Sequence, residues 1–213
     1  MNTIRIAGFI LAIAAAWFDR RAAVTAIALL AIAFEVLLRR AGESEHRAVR
    51  DSLTGVFNRR WIDESVGDVS ANTGVIVADV DHFKSYNDRW GHTGGDVLLR
   101  QLALLMQRLV SAEDVVCRVG GEEFVIVVQA ASFDELRERA ERLVAESRRL
   151  IVQFDGEPLG AITLSAGIAI APHHGNTIER LICAADRALY AAKRAGRDRV
   201  AIPPHQIVGR DAA

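Results

Sequence analysis

An α+β fold is predicted for most of this chain, and three sets of residues predict it. Residues 74–80, Gly-Val-Ile-Val-Ala-Asp-Val, form a nearly continuous apolar run of the length expected for a buried strand. Two further apolar runs, Asp114 to Val119 and Phe124 to Val128, flank Gly120-Gly121, the signal for a tight hairpin. Val97 to Val110 and Phe133 to Val152 space apolar and charged residues at helical intervals. Helices interleaved with strands, one pair of them a hairpin, give a sheet with helices packed on it.

Taken from the N-terminus, two apolar runs come first. Ile4 to Phe18 and Ala22 to Leu38 are separated only by Asp19-Arg20-Arg21. Each is slightly short of the roughly 20 residues a spanning helix needs. Both are apolar on all faces, which favours lipid over a buried soluble helical hairpin, the plain alternative. Residues 1–40 are therefore predicted as two short transmembrane helices. Arg39, Arg40, Arg47 and Arg50 follow the second run and Arg5 precedes the first, against Arg20 and Arg21 between them. The positive-inside bias then places both termini in the cytoplasm. Residues 41–50 read as a charged helical linker and 203–213 as a loose tail. Between them, residues 51–202 read in order as helix, strand, two helices, strand, hairpin strand, helix, strand (Ala161 to Ala171), helix and short strand.

Composition narrows the function classes. The chain has 213 residues, a formal net charge of −1 and 51% hydrophobic residues, enough for one domain plus an appendage. The near-zero charge gives no support for a nucleic-acid partner. Cys117 and Cys183 stand apart in apolar contexts and read as buried, reduced core residues. His173-His174 is adjacent rather than at ligand spacing.

Chemistry concentrates at two places. Glu122 and Glu123 directly follow the hairpin glycines, which let a bulky anion approach the backbone. Asp79 ends the first strand, and Asp81, two residues on, shares its face if the segment stays extended. A strand-end carboxylate and a neighbouring hairpin glutamate can hold a divalent cation over a triphosphate. The bland alternative is a surface hairpin with two solvated glutamates.

Six ordered blocks settle between them. They are Asp51-Ser-Leu-Thr-Gly55-Val-Phe-Asn58-Arg59-Arg60, Asp79-Val-Asp-His-Phe-Lys84-Ser-Tyr-Asn87-Asp88, Gly91-His92-Thr-Gly-Gly-Asp96, Arg118-Val-Gly-Gly-Glu-Glu-Phe124, Ser165-Ala-Gly167, and Ala185-Asp186-Arg-Ala-Leu-Tyr190-Ala-Ala-Lys193-Arg-Ala-Gly196-Arg197. In this order and spacing the chain resembles the GGDEF family of diguanylate cyclases, with the GGEEF variant of its signature, over about residues 50–202. The resemblance implies a ferredoxin-like palm related to nucleotidyl cyclases, with a central, mostly antiparallel sheet flanked by helices.

It also implies roles. Asp79 and Glu122 become metal ligands, with the main-chain carbonyl of Val80 beside them, for Mg2+ (or Mn2+), two ions per site. Glu123 stands near the metals, and either glutamate assists removal of the 3′-hydroxyl proton; Lys84 approaches the phosphates from the loop after the strand. Asn87 and Asp96 suit the N1–H and N2–H2 donors of guanine, and His92 lines that pocket. Gly120 and Gly121 admit the nucleotide. Lys193 and Arg197, four apart on the last predicted helix, bind the triphosphate.

The activity implied is condensation of two GTP into cyclic di-GMP with release of two pyrophosphates. The two sites must face each other, so a homodimer is expected, at the inner membrane with its catalytic domain in the cytoplasm and cyclic di-GMP receptors downstream. The alternative, a silent nucleotide-binding or scaffold module, sits poorly with the retained Asp79, Gly120, Gly121, Glu122 and Glu123. A product-inhibition motif, Arg-x-x-Asp, ends at the position of Asp114. Ser111 replaces its arginine, so that site reads as degenerate, with Arg108 one helical turn earlier as a candidate substitute and Arg142 as part of a weaker secondary contact.

Overall fold

The computed structural model describes residues 49–64, 69–130 and 132–203. The two apolar runs, the linker up to Ala48 and the tail after Pro203 lie outside the described residues. Among the described residues no helix is long and apolar enough to cross a membrane.

The elements run β1 (Phe57–Asn58), α1 (Arg59–Glu64), β2 (Thr73–Val80), α2 (Phe83–Leu109), β3 (Val115–Arg118), β4 (Glu123–Gln129), α3 (Phe133–Arg149), β5 (Gln153–Phe154), β6 (Glu157–Pro158), β7 (Leu164–Ile170), α4 (Ile178–Arg194) and β8 (Val200–Ala201). Six strands form one sheet in the order β1-β3-β4-β2-β7-β8. The three inner pairings, β3 with β4, β4 with β2 and β2 with β7, are antiparallel. The two-residue edge strands β1 and β8 pair in parallel. β2 is therefore central, and all eight of its residues are buried, which is why its apolar run is nearly unbroken.

Strand alternation divides the interior. Ile76, Ala78 and Val80 share a core with Leu98, Leu102 and Met106 of α2 and Leu136 and Leu143 of α3. Val75 and Val77 face the other way, against Ile62 of α1 and Leu181, Ala185 and Leu189 of α4. Each fully buried leucine or isoleucine contributes about 1.5–3 kcal/mol relative to exposure. The buried positions of α4, Ile178, Leu181, Ala184, Ala185, Ala188, Leu189 and Ala192, follow helical spacing. Its alanines let it lie close on β7, where a Cβ on Gly167 would overlap the Ala185 carbonyl.

Several expectations need correction. The predicted helix over 97–110 is the second half of α2, whose helical geometry breaks at Gly91 (φ 69°, ψ 172°). α3 starts as predicted, with the Ser132 hydroxyl accepting from the Glu135 amide at 3.1 Å, but it ends at Arg149. Leu150 turns extended and Val152 is buried beyond it. The hairpin is not a two-residue turn. Neither Gly120 nor Gly121 takes a positive φ, and four residues separate β3 from β4. A separate small hairpin, β5–β6, turns on Asp155 and Gly156 with φ of 52° and 82°, as a primed two-residue turn requires. Cys117 is buried, and burial pushes its thiol up to about 12. Cys183 is exposed, contrary to expectation.

Candidate active site

The site gathers at the Asp79 end of the sheet. Asp79 continues the alternation of Val75 and Val77, so it emerges on the α4 side. Directly across the β2–β4 ladder stands Glu123. The Lys193 ammonium, on the last turn of α4, lies 2.8 Å from Asp79 Oδ2. Asp79 is 4% exposed. Burial raises its carboxyl above the ordinary value, and the charge of Asp81 adds to this; Lys193 and Arg197 pull only partly the other way. Glu122 is raised too, first by burial, then by the charges of Asp79 and Glu123.

Three carboxylates drawn together and incompletely neutralised make a site that favours a bound cation. Among the described residues no group of three or more acidic, histidine or cysteine side chains is placed to hold a metal ion by itself. A Mg2+ ion is commonly held through only one or two carboxylates, with water and phosphate oxygens completing its octahedron. Asp79 and Glu122 therefore fit the metal-ligand roles implied by the resemblance. Val80 stands beside them, its amide donating to the Glu122 carbonyl at 3.4 Å.

The hairpin loop is braced from outside. Arg118 donates to the Gly121 carbonyl from Nη2 at 2.7 Å and from Nε at 3.2 Å. Its Nη1 donates to Asp51 Oδ1 at 3.1 Å. The same oxygen accepts from the Thr54 amide and hydroxyl. Burial works to raise the Asp51 carboxyl, but the hydrogen bonds from Thr54 and Arg118 outweigh it and hold it below the ordinary range. The Asp51–Gly55 block thus fixes the glutamates' loop, a role its sequence did not announce. Gly120 makes room there, since a Cβ on it would stand 2.7 Å from a Glu123 carboxylate oxygen.

The residues to which the resemblance gives base recognition, Asn87, His92 and Asp96, lie on α2, either side of its break. The Asn87 side-chain oxygen is buried and has no hydrogen-bond partner. Gly95 allows this position, because a Cβ there would overlap that oxygen. Asp96 follows, half-buried, while His92 is exposed. An unsatisfied buried acceptor is costly unless a donor reaches it, and the guanine edge supplies donors. Lys84 lies in the first turn of α2 rather than in a loop, exposed and without an ion-pair partner among the described residues.

Arg197 is not on the last helix. α4 ends at Arg194, Gly196 takes φ 109°, and the Arg197 amide returns to the Ala192 carbonyl at 3.0 Å. This is a Schellman cap with glycine at its left-handed position. The cap turns Arg197 back, close enough for its charge to act on Asp79. Lys193 and Arg197 thus meet at one site by a cap, not by helical spacing.

Asp81, which the sequence paired with Asp79, is engaged elsewhere. Its carboxylate accepts from Ser165 Oγ at 2.7 Å, Thr163 Oγ1 at 2.9 Å and the Asp198 amide at 3.0 Å. Asp114 is likewise engaged. It accepts from the Ser111 amide and hydroxyl, the Gln129 amide and, at 2.9 Å, Arg139 Nη1. The arginine at Asp114 is therefore Arg139; Arg108 instead donates to the Leu104 carbonyl.

Comparison with known proteins agrees with this geometry. Residues 48–199 match the family described as diguanylate cyclase, GGDEF domain. Diguanylate cyclase DgcP of Pseudomonas aeruginosa is 39% identical over 168 residues, covering 75% of this chain. The chain spans 25% of that relative's length. The coiled coil and GGDEF domain of DgcB from Caulobacter crescentus, in complex with c-di-GMP, superposes with a TM-score of 0.74 at 29% identity, over 83% of this chain and 96% of that one. The active GGEEF domain of a diguanylate cyclase from Vibrio cholerae superposes with a TM-score of 0.56 at 35% identity, over 62% of this chain and 83% of that one. With the signature loop, the central strand carboxylate and the capped arginine all in place, the chain belongs to the GGDEF-domain family.

Proposed function

We propose that this protein is a diguanylate cyclase, joining two GTP into cyclic di-GMP and releasing two pyrophosphates. The observation that carries this reading is the convergence of Asp79, Glu122 and Glu123 with Lys193 and Arg197. The bound divalent ions, Mg2+ or Mn2+, would offset charge building on the phosphates during in-line attack. Asp79 and Glu122 would hold them. Lys193, which pairs with Asp79, would bind the triphosphate together with Arg197. Either glutamate, Glu122 or Glu123, can take the 3′-hydroxyl proton. Asn87 and Asp96 select guanine, and Lys84 adds positive charge at the phosphates. An active GGEEF relative supports glutamate at position 122.

Each subunit holds one GTP, so two copies must face each other to close the ring. The runs in 1–40 anchor the chain in the cytoplasmic membrane, and the linker raises the local concentration of paired domains. The carboxyl-terminal domain lies in the cytoplasm, where GTP is found and where cyclic di-GMP receptors respond. The test is incubation of the full chain with GTP and Mg2+, reading pyrophosphate and cyclic di-GMP. Retained GTP binding without pyrophosphate would favour the silent nucleotide-binding module instead. Anchoring is checked by carbonate extraction of membranes and a reporter fused after Arg50. Release of the chain by carbonate would favour a soluble helical hairpin.

A further inference from the structure

Arg197 reaches the site from a turn that is unfavourable by itself. Arg197 and the next residue, Asp198, both take left-handed backbone angles, φ 62° and 50°. Two consecutive non-glycine residues in that region are held only where surroundings over-determine them. The surroundings here are two side chains from distant parts of the chain. From below, Asp81 takes the Asp198 amide at 3.0 Å while also holding Ser165 and Thr163 of the β7 end. From outside, Arg148 of α3 donates from Nε to both carboxylate oxygens of Asp198, at 2.8 and 2.9 Å. Its Nη2 also donates to the Asp198 carbonyl at 3.0 Å. Beyond the turn, Arg199 donates from Nε to the Arg197 carbonyl at 2.9 Å, and its own carbonyl accepts from the Ala166 amide.

We propose that Asp81 and Arg148 are positioning residues for Arg197: they grip the Arg197–Asp198 turn from opposite sides and so set how tightly the site binds phosphate. Arg148 donates to Asp198 and lies outside every sequence block that carries the family resemblance. An exposed ion pair alone contributes little. The forked contact with carboxylate and carbonyl differs, because it fixes a geometry as well as a charge. A small displacement of a phosphate-binding arginine then weakens substrate binding without touching the reacting atoms.

The proposal rests on reading Arg197 as a phosphate ligand, so the experiment has one arm that does not. In the full chain, Arg148→Ala should speed amide hydrogen exchange at residues 197–199 and leave the rest of the domain unchanged; unaltered exchange there overturns the proposal. The second arm compares Arg148→Ala, Arg197→Ala and the double variant for GTP. Arg148→Ala should raise KM roughly three- to tenfold with kcat nearly constant. In the Arg197→Ala background the same change should add nothing further. An equal effect in both backgrounds overturns the proposal, since Arg148 would then act independently of Arg197. An unmodified chain that neither binds nor turns over GTP sinks the functional reading alone, and the exchange arm still decides the grip.

Discussion

Lys193 Nζ and Asp79 Oδ2 are 2.8 Å apart, and this one pair links the end of the central strand to the end of the last helix. The lysine answers only part of the negative charge, because Asp79 remains raised by burial and by Asp81.

Replacing that carboxylate separates catalysis from stability. Asp79→Asn should lower turnover on the order of 10²–10³-fold, as expected for losing a main electrostatic group. The fold should survive. A carboxyl raised in the folded state binds its proton more tightly there than in the unfolded chain. Its contribution to stability is present below the unfolded value and is lost as pH rises through the folded one. The wild-type protein should therefore lose some stability as pH climbs above the ordinary carboxylate range, and Asp79→Asn should flatten that loss. Thermal melts from about pH 4, the ordinary carboxylate value, upward read the stability arm.

Gly95 tests the guanine reading. Gly95→Ala forces the new methyl against the Asn87 side-chain oxygen. Because Gly95 is buried within α2, the expected result is a displaced Asn87, a raised KM for GTP and weaker discrimination against ATP. Unchanged discrimination would remove Asn87 from base selection.

The brace on the signature loop should matter to both activity and folding. Arg118→Lys keeps the charge but loses the planar fork that holds the Gly121 carbonyl and Asp51 together. A loss of about 1.5–3 kcal/mol is expected from the charged hydrogen bonds, read by urea titration. Activity should fall as well, with the metal-binding carboxylates intact. A variant of normal stability and activity would show that the loop holds its shape unaided.

Product feedback is a sharper case. Asp114 has a fully buried side chain already occupied by Arg139, Ser111 and the Gln129 amide. Cyclic di-GMP added to the active enzyme should therefore inhibit little through this position. Ser111→Arg alone should not restore inhibition, because Arg139 keeps the carboxylate. Asp114→Ala should instead destabilise the domain by about 1–3 kcal/mol, because the Ser111 and Gln129 amides lose their acceptor while Arg139 keeps only Glu135. Strong product inhibition of the unmodified chain, lost in Arg139→Ala, would reverse this reading.

Much of the frame was legible in sequence because it is local. The run ending at Asp79 announced a buried strand, and the apolar flanks of Gly120-Gly121 announced the two strands β3 and β4. Other features were legible but are easily passed over. Asp155-Gly156 is a strong turn signal, yet its strands are two residues long and carry no apolar run. Gly196 marks a helix end, yet spacing alone placed Arg197 on the helix. The rest is long-range. The side-chain partners of Asp81 are 82 and 84 residues away and its amide partner 117, and Arg118 finds Asp51 at a separation of 67. No window of residues contains such pairs, so only the folded chain shows that Asp81 holds backbone and side chains of the β7 end while Asp79 faces Lys193.

The brevity of β1 and β8 has a consequence for assembly. A long bare strand at a sheet's rim invites a stranger's backbone to continue the ladder. Here the two outermost strands offer two residues each, and the Phe57 of one is already bridged to Arg50. The central strand β2 is paired along its length on both sides. Copies of the domain crowded together therefore find little template for edgewise fusion or fibre growth among the described residues, and a reversible encounter can recur without polymerising.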